Sequence, residues 1–207
     1  MASALPEGRA PSHLLLPVLP LRDLCLFPEA SLTVGIERLG VFEAVELAER
    51  SGRQLLAVAQ VDPSAVLPGR TGLHAVGTLA ELVTFTRDSK TEGRVELKGL
   101  RRARVVTLLG THTLVAEVEP LDEGDAGDEW GPAVEALARY IHAHSELKDF
   151  LDSQQVSNEP MAWVNRACQH LPITATARQK LLAANALERC LKISRGLDAL
   201  LRKEQVG

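Results

Sequence analysis

The sequence predicts an α+β protein in which a β-rich N-terminal part is followed by helices. Three observations favour this fold class. From Leu14 to about Pro120, short runs rich in Val and Leu are separated by turn residues, which is typical of strands. One amphipathic helical segment, 37–50, interrupts these runs. After the acidic stretch 117–129, apolar residues recur at helical spacing.

The strands are assigned to apolar runs between turn signals. Gly99 lies inside a run close to period two and predicts a bulge or a sharp bend there. The helix at 37–50 is expected to end at Ser51-Gly52. The predicted strands are Leu14–Leu19, Leu32–Ile36, Leu55–Val61, Ala75–Thr86, Val95–Leu100, Ala103–Leu109 and Thr113–Glu119.

Changes of composition predict the domain organisation. Residues 1–12 hold little that a core could bury and are predicted to be a disordered tail. A β-rich domain at 13–120, an acidic linker at 121–131 and a helical bundle at 132–207 follow. A solvated linker is the favoured interpretation of the acidic stretch, and a patch for a basic partner is the alternative. Its acidic residues are Glu117, Glu119, Asp122, Glu123, Asp125, Asp128 and Glu129.

Capping residues predict where the helices of the bundle begin. Pro132 fits a first helical position, and Pro160 opens a second helix. Thr174 is placed to cap a third helix. Asn185, with Glu188 three residues on, has the form of a capping box for the last helix.

Composition excludes several functions. The aromatic share of 3% argues against recognition of stacked bases, which needs aromatic platforms. The net charge of −4 gives no overall attraction for nucleic acid or for an anionic membrane. The N-terminus lacks the pattern of a signal peptide, and no apolar stretch is long enough to span a bilayer, so a cytoplasmic location is expected.

Catalytic and metal-binding motifs are missing from the sequence. It contains no GxxxxGK[ST] phosphate loop, no GxSxG elbow and no HExxH zinc helix. His142 and His144 are two residues apart and would face different sides of a helix. Cys25, Cys168 and Cys190 lack a metal or disulfide spacing and are predicted to be buried, inert thiols. We therefore expect no catalytic residue, no cofactor and no metal site.

One basic cluster is present, formed by Lys98, Arg101, Arg102 and Arg104. A strand edge that contacts phosphate is one interpretation. The favoured one is the solvent face of a hairpin, where cationic side chains discourage edge-to-edge pairing.

Residues 16–36 resemble the opening of the N-terminal domain of Lon-type ATP-dependent proteases. That opening typically reads Leu-Pro-Leu-Arg-Asp, then apolar residues, then Phe-Pro. Here it is present at 19–23 and 27–28, while the family's Gly-Arg-Glu motif is altered at 35–38. Further similar segments follow in order: Val58-Ala59-Gln60, Val76-Gly77-Thr78-Leu79-Ala80, Lys98-Gly99-Leu100-Arg101-Arg102-Ala103-Arg104, Ala116-Glu117-Val118-Glu119-Pro120 and Arg178-Gln179-Lys180-Leu181-Leu182.

The resemblance implies a six-stranded, PUA-like β-barrel with one inserted helix, followed by a C-terminal helical bundle. It also implies a stand-alone, non-catalytic substrate-binding domain whose partners are unfolded or degron-bearing polypeptides and a Lon-type protease. Such a domain would deliver polypeptides to the protease or block delivery, as a monomer or weak dimer, with no DNA or membrane partner. RNA binding is the alternative, because other PUA-like barrels bind RNA, although the charge and aromatic content oppose it.

A few apolar residues are candidates for the polypeptide contact. Leu24, Leu26 and Phe27 would form one if they were exposed, but filling the barrel core is the favoured interpretation. Trp163 would pack the bundle or lie at the domain junction, where crevices often bind ligands. The neighbouring Arg22-Asp23 is interpreted as a structural ion pair.

Overall fold

The structure, a computed structural model, describes residues 13–204 apart from 67, 70, 145–146 and 148–159. The predicted tail at 1–12 lies outside the described residues. Within them the chain forms six strands and five α-helices, so the α+β class is confirmed. The strands are β1 (Leu14–Leu21), β2 (Ser31–Ile36), β3 (Gln54–Ala59), β4 (Val76–Arg87), β5 (Gly93–Leu109) and β6 (Val115–Pro120). The helices are α1 (Leu39–Arg50), α2 (Trp130–Ala143), α3 (Pro160–His170), α4 (Ala175–Ala183) and α5 (Ala186–Glu204).

The six strands form one sheet in the order β2-β5-β4-β3-β1-β6. An additional pairing of β5 with β6 closes the strands β1, β3, β4, β5 and β6 into a ring. The β1–β3 pair is parallel, and the other pairs are antiparallel. Among the described strands β2 pairs with β5 alone, so it lies outside the ring and keeps one unpaired edge.

The long strand β5 replaces two predicted strands. The segments Val95–Leu100 and Ala103–Leu109 belong to one strand of 17 residues, so the predicted break between them is wrong. The pairing with β4 shifts register beside Gly99, which confirms the predicted bulge. A Cβ atom at Gly99 would lie 2.1 Å from the carbonyl oxygen of Phe27. Glycine is needed there because another part of the backbone lies directly on the strand.

Strands and helices share the main hydrophobic core. Buried side chains of β1, β3, β4 and β5 belong to the same cluster as those of α2, α3, α4 and α5. Successive residues of a strand face opposite sides. Leu55 and Ala57 of β3 therefore join this shared core, whereas Leu56 and Val58 join a second, smaller cluster formed mainly by strand residues.

The acidic stretch packs against both parts of the molecule. The Glu123 carboxylate accepts hydrogen bonds from Arg102 of β5 (2.5 Å) and from Arg189 of α5. Its backbone carbonyl accepts a hydrogen bond from the Ala186 N–H (2.8 Å). Ala126 is buried as well. The interpretation of this stretch as a solvated linker is therefore wrong at Glu123, which ties β5 to α5.

Two predicted helix caps are confirmed. The Thr174 hydroxyl accepts a backbone hydrogen bond in the first turn of α4 (3.2 Å), and the Asn185 side chain does the same for α5 (2.9 Å). α2 begins at Trp130, ahead of the predicted Pro132, because a short 3-10 turn leads into it. In the described part of the chain, no helix has the length and apolar character needed to cross a bilayer.

Candidate functional site

The segment that carries the Leu-Cys-Leu-Phe run is held beneath the helices. Leu26 and Phe27 have no exposed surface. The Gln169 side chain of α3 accepts a hydrogen bond from the Phe27 N–H (3.0 Å) and donates one to the Cys25 carbonyl (2.9 Å). The Thr78 hydroxyl of β4 donates to the Leu26 carbonyl (2.5 Å). Leu26 and Phe27 are therefore core residues, as the favoured interpretation expected, and they offer no surface contact to a polypeptide.

The other two predicted contact residues have different surroundings. Trp163 of α3 is fully buried in the shared core, so it offers no surface to a polypeptide. Leu24 is half-buried and lines an open groove. Of the predicted apolar contact residues, Leu24 alone has surface that a ligand could reach.

The cysteines are buried thiols, as predicted. Burial raises the pKa of the Cys25 thiol to about 11 and that of Cys168 to about 12. Burial also raises the pKa of Cys190. A protonated, buried thiol is a poor nucleophile. Among the described residues, no group of three His, Cys, Asp or Glu side chains is placed to hold a metal ion.

Three residues of the predicted basic cluster, Lys98, Arg101 and Arg104, are exposed to solvent, and the fourth is buried. Arg102 is 3% exposed and binds Glu123, so its place in the cluster is wrong. Lys98 lies 3.9 Å from a carboxylate oxygen of Glu29, and Arg104 lies 3.1 Å from Glu119. Lys98 and Arg104 thus each have an acidic neighbour, whereas Arg101 forms no ion pair within the described residues.

A groove with a mixed apolar and polar lining lies between the end of β1, the strand β2 and the start of α1. Its cavity has a volume of about 430 Å³. We call it the β1–β2 groove. The apolar side chains that line it are Leu19, Pro20, Leu21, Leu24, Val34, Ile36 and Val41. The remaining lining residues are Arg22, Thr33, Gly35, Glu37 and Arg38.

The two strand edges that border this groove differ in their capacity to pair. On the β1 side, Pro20 has no N–H, and its carbonyl accepts a hydrogen bond from the Arg38 guanidinium (3.3 Å). On the β2 side, the Gly99 N–H of β5 donates to the Ala30 carbonyl (2.9 Å). Backbone groups alternate along an antiparallel strand, and the β2–β5 register has no shift. The N–H and C=O groups of Thr33 and Gly35 therefore point away from β5.

Two arginines lie at one end of the groove, just after β1 and just after β2. Arg22 donates to the Ala65 carbonyl (3.5 Å) and Arg38 donates to the Val66 carbonyl (2.8 Å). Burial, and then the nearby charge of Arg22, lower the pKa of Arg38. The predicted Arg22-Asp23 ion pair is wrong, since within the described residues Arg22 bonds to a backbone carbonyl and not to this carboxylate.

A second apolar cavity, of about 250 Å³, lies between α4 and α5. Apolar side chains of both helices and of the preceding loop form most of its lining, with Lys180 and Lys192 among the remaining residues. It borders no strand edge, so it offers apolar side chains but no unpaired backbone groups. The β1–β2 groove offers both and is the stronger candidate for binding an extended chain.

The comparison with protein families identifies the fold. Residues 15–197 match the model described as the ATP-dependent protease La (LON) substrate-binding domain. The chain belongs to the Lon substrate-binding domain family. All residues of the β1–β2 groove fall within the matched range.

Full-length Lon proteases are similar to this chain over most of its length. Lon protease 1 of Thermus thermophilus is 31% identical over 199 residues, which cover 92% of this chain and 25% of that protein. The Lon protease of Desulfovibrio desulfuricans is 29% identical over 194 residues, which cover 88% of this chain and 22% of that protein. The chain thus spans about a quarter of the length of these curated relatives.

Two solved structures share the fold. The N-terminal domain of the Mycobacterium avium complex Lon protease has a TM-score of 0.70 at 16% identity and covers 89% of this chain and 98% of its own. The Lon N-terminal domain protein from Xanthomonas campestris has a TM-score of 0.58 at 23% identity and covers 86% of this chain and 95% of its own. These similarities confirm the mixed fold with its six-stranded sheet.

Sequence reasoning missed most of the groove. The side chains of Thr33 and Gly35 give no signal of a binding site in the sequence. These residues matter because β2 is an edge strand, which leaves their backbone groups unpaired. Arg38 lies in the altered Gly-Arg-Glu motif, and that departure is the one signal that could have drawn attention to it. Pro20 was visible in the sequence, but its role at the β1 edge depends on which strands pair.

Proposed function

We propose that this chain is a non-catalytic module that binds polypeptides in the β1–β2 groove. The observation that carries the proposal is a groove with apolar and polar lining residues beside an unpaired strand edge. Unfolded or degron-bearing polypeptides suit such a groove because they expose apolar side chains and free backbone amides together. The family description, a substrate-binding domain of a protease, supports polypeptides as the ligand class.

The partner in this proposal is a Lon-type protease. The chain would deliver bound polypeptides to the protease or withhold them from it. Adding the chain to a Lon-type protease and an unfolded substrate distinguishes the two roles, because delivery raises the degradation rate and withholding lowers it. An unchanged rate at saturating chain concentration would rule out both roles.

The proposed function includes an assignment of the strands, the helices and the oligomeric state. We take the closed ring of strands to be a PUA-like barrel and the helices after residue 131 to be a bundle packed on it. The division at 121–131 stays a prediction. We also propose a cytoplasmic location and a monomer or weak dimer, which leaves the β2 edge free for a ligand.

The substitution Leu24→Glu tests the binding site. A charge at this half-buried position would place an ionised group among apolar side chains, so we expect affinity for an unfolded polypeptide to fall about tenfold or more. Fluorescence anisotropy of a labelled, reduced and alkylated model protein measures the affinity. Circular dichroism reports whether the variant keeps its fold.

Leu187→Glu is the matched control. Leu187 is 41% exposed in the first turn of α5, outside the groove, where an acidic residue suits a helix N-terminus. We expect this variant to bind as the unsubstituted protein does. Equal affinities of the Leu24→Glu and Leu187→Glu variants would contradict binding in the groove, and no binding by the unsubstituted chain would contradict the function itself.

A further inference from the structure

The strand β2 lacks the features that normally keep an edge strand from pairing. Proteins protect such edges with proline, charged side chains, bulges or a covering segment. The sequence of β2, Ser-Leu-Thr-Val-Gly-Ile, contains neither proline nor a charged residue. Its register with β5 is continuous, so it has no bulge. Thr33 and Gly35 are exposed, which leaves the outward backbone groups accessible.

The opposite side of the groove is closed to the same kind of pairing. Pro20 supplies no N–H, and Arg38 occupies its carbonyl. An extended chain in the groove would therefore find backbone partners on β2 and none on β1, whose lining residues are buried, while the half-buried Leu24 and Val34 offer apolar surface. This asymmetry fixes which strand a ligand would extend.

The charge at one end of the groove is unbalanced. Among the described residues, neither Arg22 nor Arg38 forms an ion pair with a carboxylate, and both guanidinium groups bond to backbone carbonyls. Glu37 is the one acidic residue in the groove lining, and it is exposed. The lining thus carries two positive charges and one negative charge. An acidic group on the ligand would complement this end.

We propose that a polypeptide binds as an added strand along the free edge of β2, and that Arg22 and Arg38 select a segment with an acidic residue over this end of the groove. This inference rests on the proposed function and names its ligand: an extended segment with alternating apolar residues and one terminal acid. β2 is 6 residues long, so a segment of about the same length suffices.

Backbone methylation of the ligand tests strand addition on the unsubstituted protein. The probe is a fluorescein-labelled, N-acetylated and C-amidated peptide of about eight residues that alternates Val and Thr and ends in Asp. N-methylation of one alternate set of residues removes the N–H groups that face β2, and methylation of the other set does not. We expect the first peptide to bind about tenfold or more weakly and the second to bind almost unchanged. Equal affinities of all three peptides would overturn the inference.

Thr33→Pro tests the same contact from the protein side. Its N–H points away from β5, so proline at this position removes a donor to the ligand and no ladder hydrogen bond. Thr33→Val is the matched control, since it keeps the N–H and the shape of the side chain. We expect the proline variant to lose at least about tenfold in affinity for the unmethylated peptide, and the valine variant to be unaffected. Retained affinity in a folded Thr33→Pro variant would overturn the inference.

Peptides that differ in charge test the arginines. Three peptides carry Asp at the N-terminal end, Asp at the C-terminal end, or Asn at both ends. We expect one Asp peptide to bind several-fold more tightly than the Asn peptide, and Arg22→Gln to remove this preference. Arg101 is an exposed arginine outside the groove, so Arg101→Gln should leave the preference for the Asp peptide unchanged. No preference in the unsubstituted protein, or a preference that survives Arg22→Gln, would overturn the role of the arginines.

These outcomes separate this inference from the proposed function. If the unsubstituted chain binds unfolded protein, but methylated peptides and the Thr33→Pro variant bind normally, strand addition is wrong and polypeptide binding stands. If the chain binds no polypeptide, both fail. A dimer of the chain that Thr33→Pro dissociates, without any peptide effect, would show that a second copy occupies the β2 edge and would also overturn the inference.

Discussion

Glu123 lies between two guanidinium groups that have lost almost all contact with water. Arg189 is fully buried and Arg102 is 3% exposed. Arg189 also donates to the side chain of Asn165 and to the carbonyls of Leu181 and Ala184, so it links α5 to α3 and to the end of α4. The carboxylate supplies the negative charge that makes two buried cations tolerable.

Removing this carboxylate charge should destabilise the protein strongly. In Glu123→Gln two buried guanidinium groups would share a neutral amide, and breaking a buried ion pair from one side typically costs about 3–5 kcal/mol. Urea unfolding followed by circular dichroism measures the free energy of unfolding. Glu135→Gln is the control, because Glu135 is 76% exposed in its pair with Arg139. This substitution should lower the free energy of unfolding by less than about 1 kcal/mol. Similar losses in the two variants would contradict the role assigned to Glu123.

The three buried thiols predict how stability depends on alkaline pH. The ordinary pKa of 9.0 applies to Cys25 in the unfolded chain, whereas burial raises it to about 11 in the folded protein. The unfolded chain therefore releases protons first, so the free energy of unfolding should fall as pH rises from about 9 to about 11. Denaturant unfolding at several pH values measures this slope, and Cys25→Ala should make it shallower. An unchanged slope in that variant would contradict the assignment.

At the scale of elements, β5 is the strand on which the other parts meet. It pairs with β2, β4 and β6, it carries Arg102 toward the helices, and at Gly99 it lies against the segment Phe27-Pro28. The bulge beside Gly99 lets one strand serve two parts of the sheet. The same strand therefore positions β2, the shared core and the buried ion pairs.

Alanine at Gly99 should be costly, because its Cβ would overlap backbone atoms. A Cβ there would lie 2.1 Å from the Phe27 carbonyl oxygen, and overpacking of this kind costs about 1–3 kcal/mol or more. Gly196→Ala in α5 is the control, since a Cβ at Gly196 has no atom within 4 Å. Alanine should stabilise this helix by about 0.5–1 kcal/mol. Thermal melts of both variants measure the two effects, and shifts of the same sign would contradict this interpretation.

Local signals predicted the elements well, and contacts between elements explain where prediction failed. Thr174 and Asn185 could be read as caps because a cap depends on a few neighbouring residues. Burial of Leu26 and Phe27 was the favoured interpretation, but the sequence did not show that α3 and α5, far along the chain, cover them. Glu123 looked like the other acidic residues of its stretch, and only the distant Arg102 and Arg189 distinguish it.

The candidate site depended even more on tertiary structure. The resemblance to Lon N-terminal domains predicted the polypeptide-binding class, but the sequence pattern of β2 is that of any short strand. β2 is a candidate binding edge because it pairs with β5 on one side and borders the groove on the other. Leu24 was a candidate contact residue together with Leu26 and Phe27. The helices that pack on this segment bury Leu26 and Phe27 and leave Leu24 half-buried.

At the scale of the whole molecule, a shared core predicts a single cooperative unfolding transition. Leu55 and Ala57 of β3 pack in the same cluster as Leu137 of α2 and Trp163 of α3. Separating the helices from the strands would expose both sides of this cluster and break the ion pairs at Glu123. The strands and the helices should therefore not unfold independently, even though the chain changes from strands to helices at one point of its sequence.

Native-state amide hydrogen exchange tests this cooperativity. The slowest amides of β3 and of α3 should exchange with the same free energy of opening, because both require global unfolding. Glu123→Gln should lower both values by the same amount, whereas Glu135→Gln should leave both nearly unchanged. A loss confined to the α3 amides would show that the helices open while the strands stay folded. In that case the boundary predicted at 121–131 would separate two units of different stability. The buried ion pairs would then link two units that unfold separately.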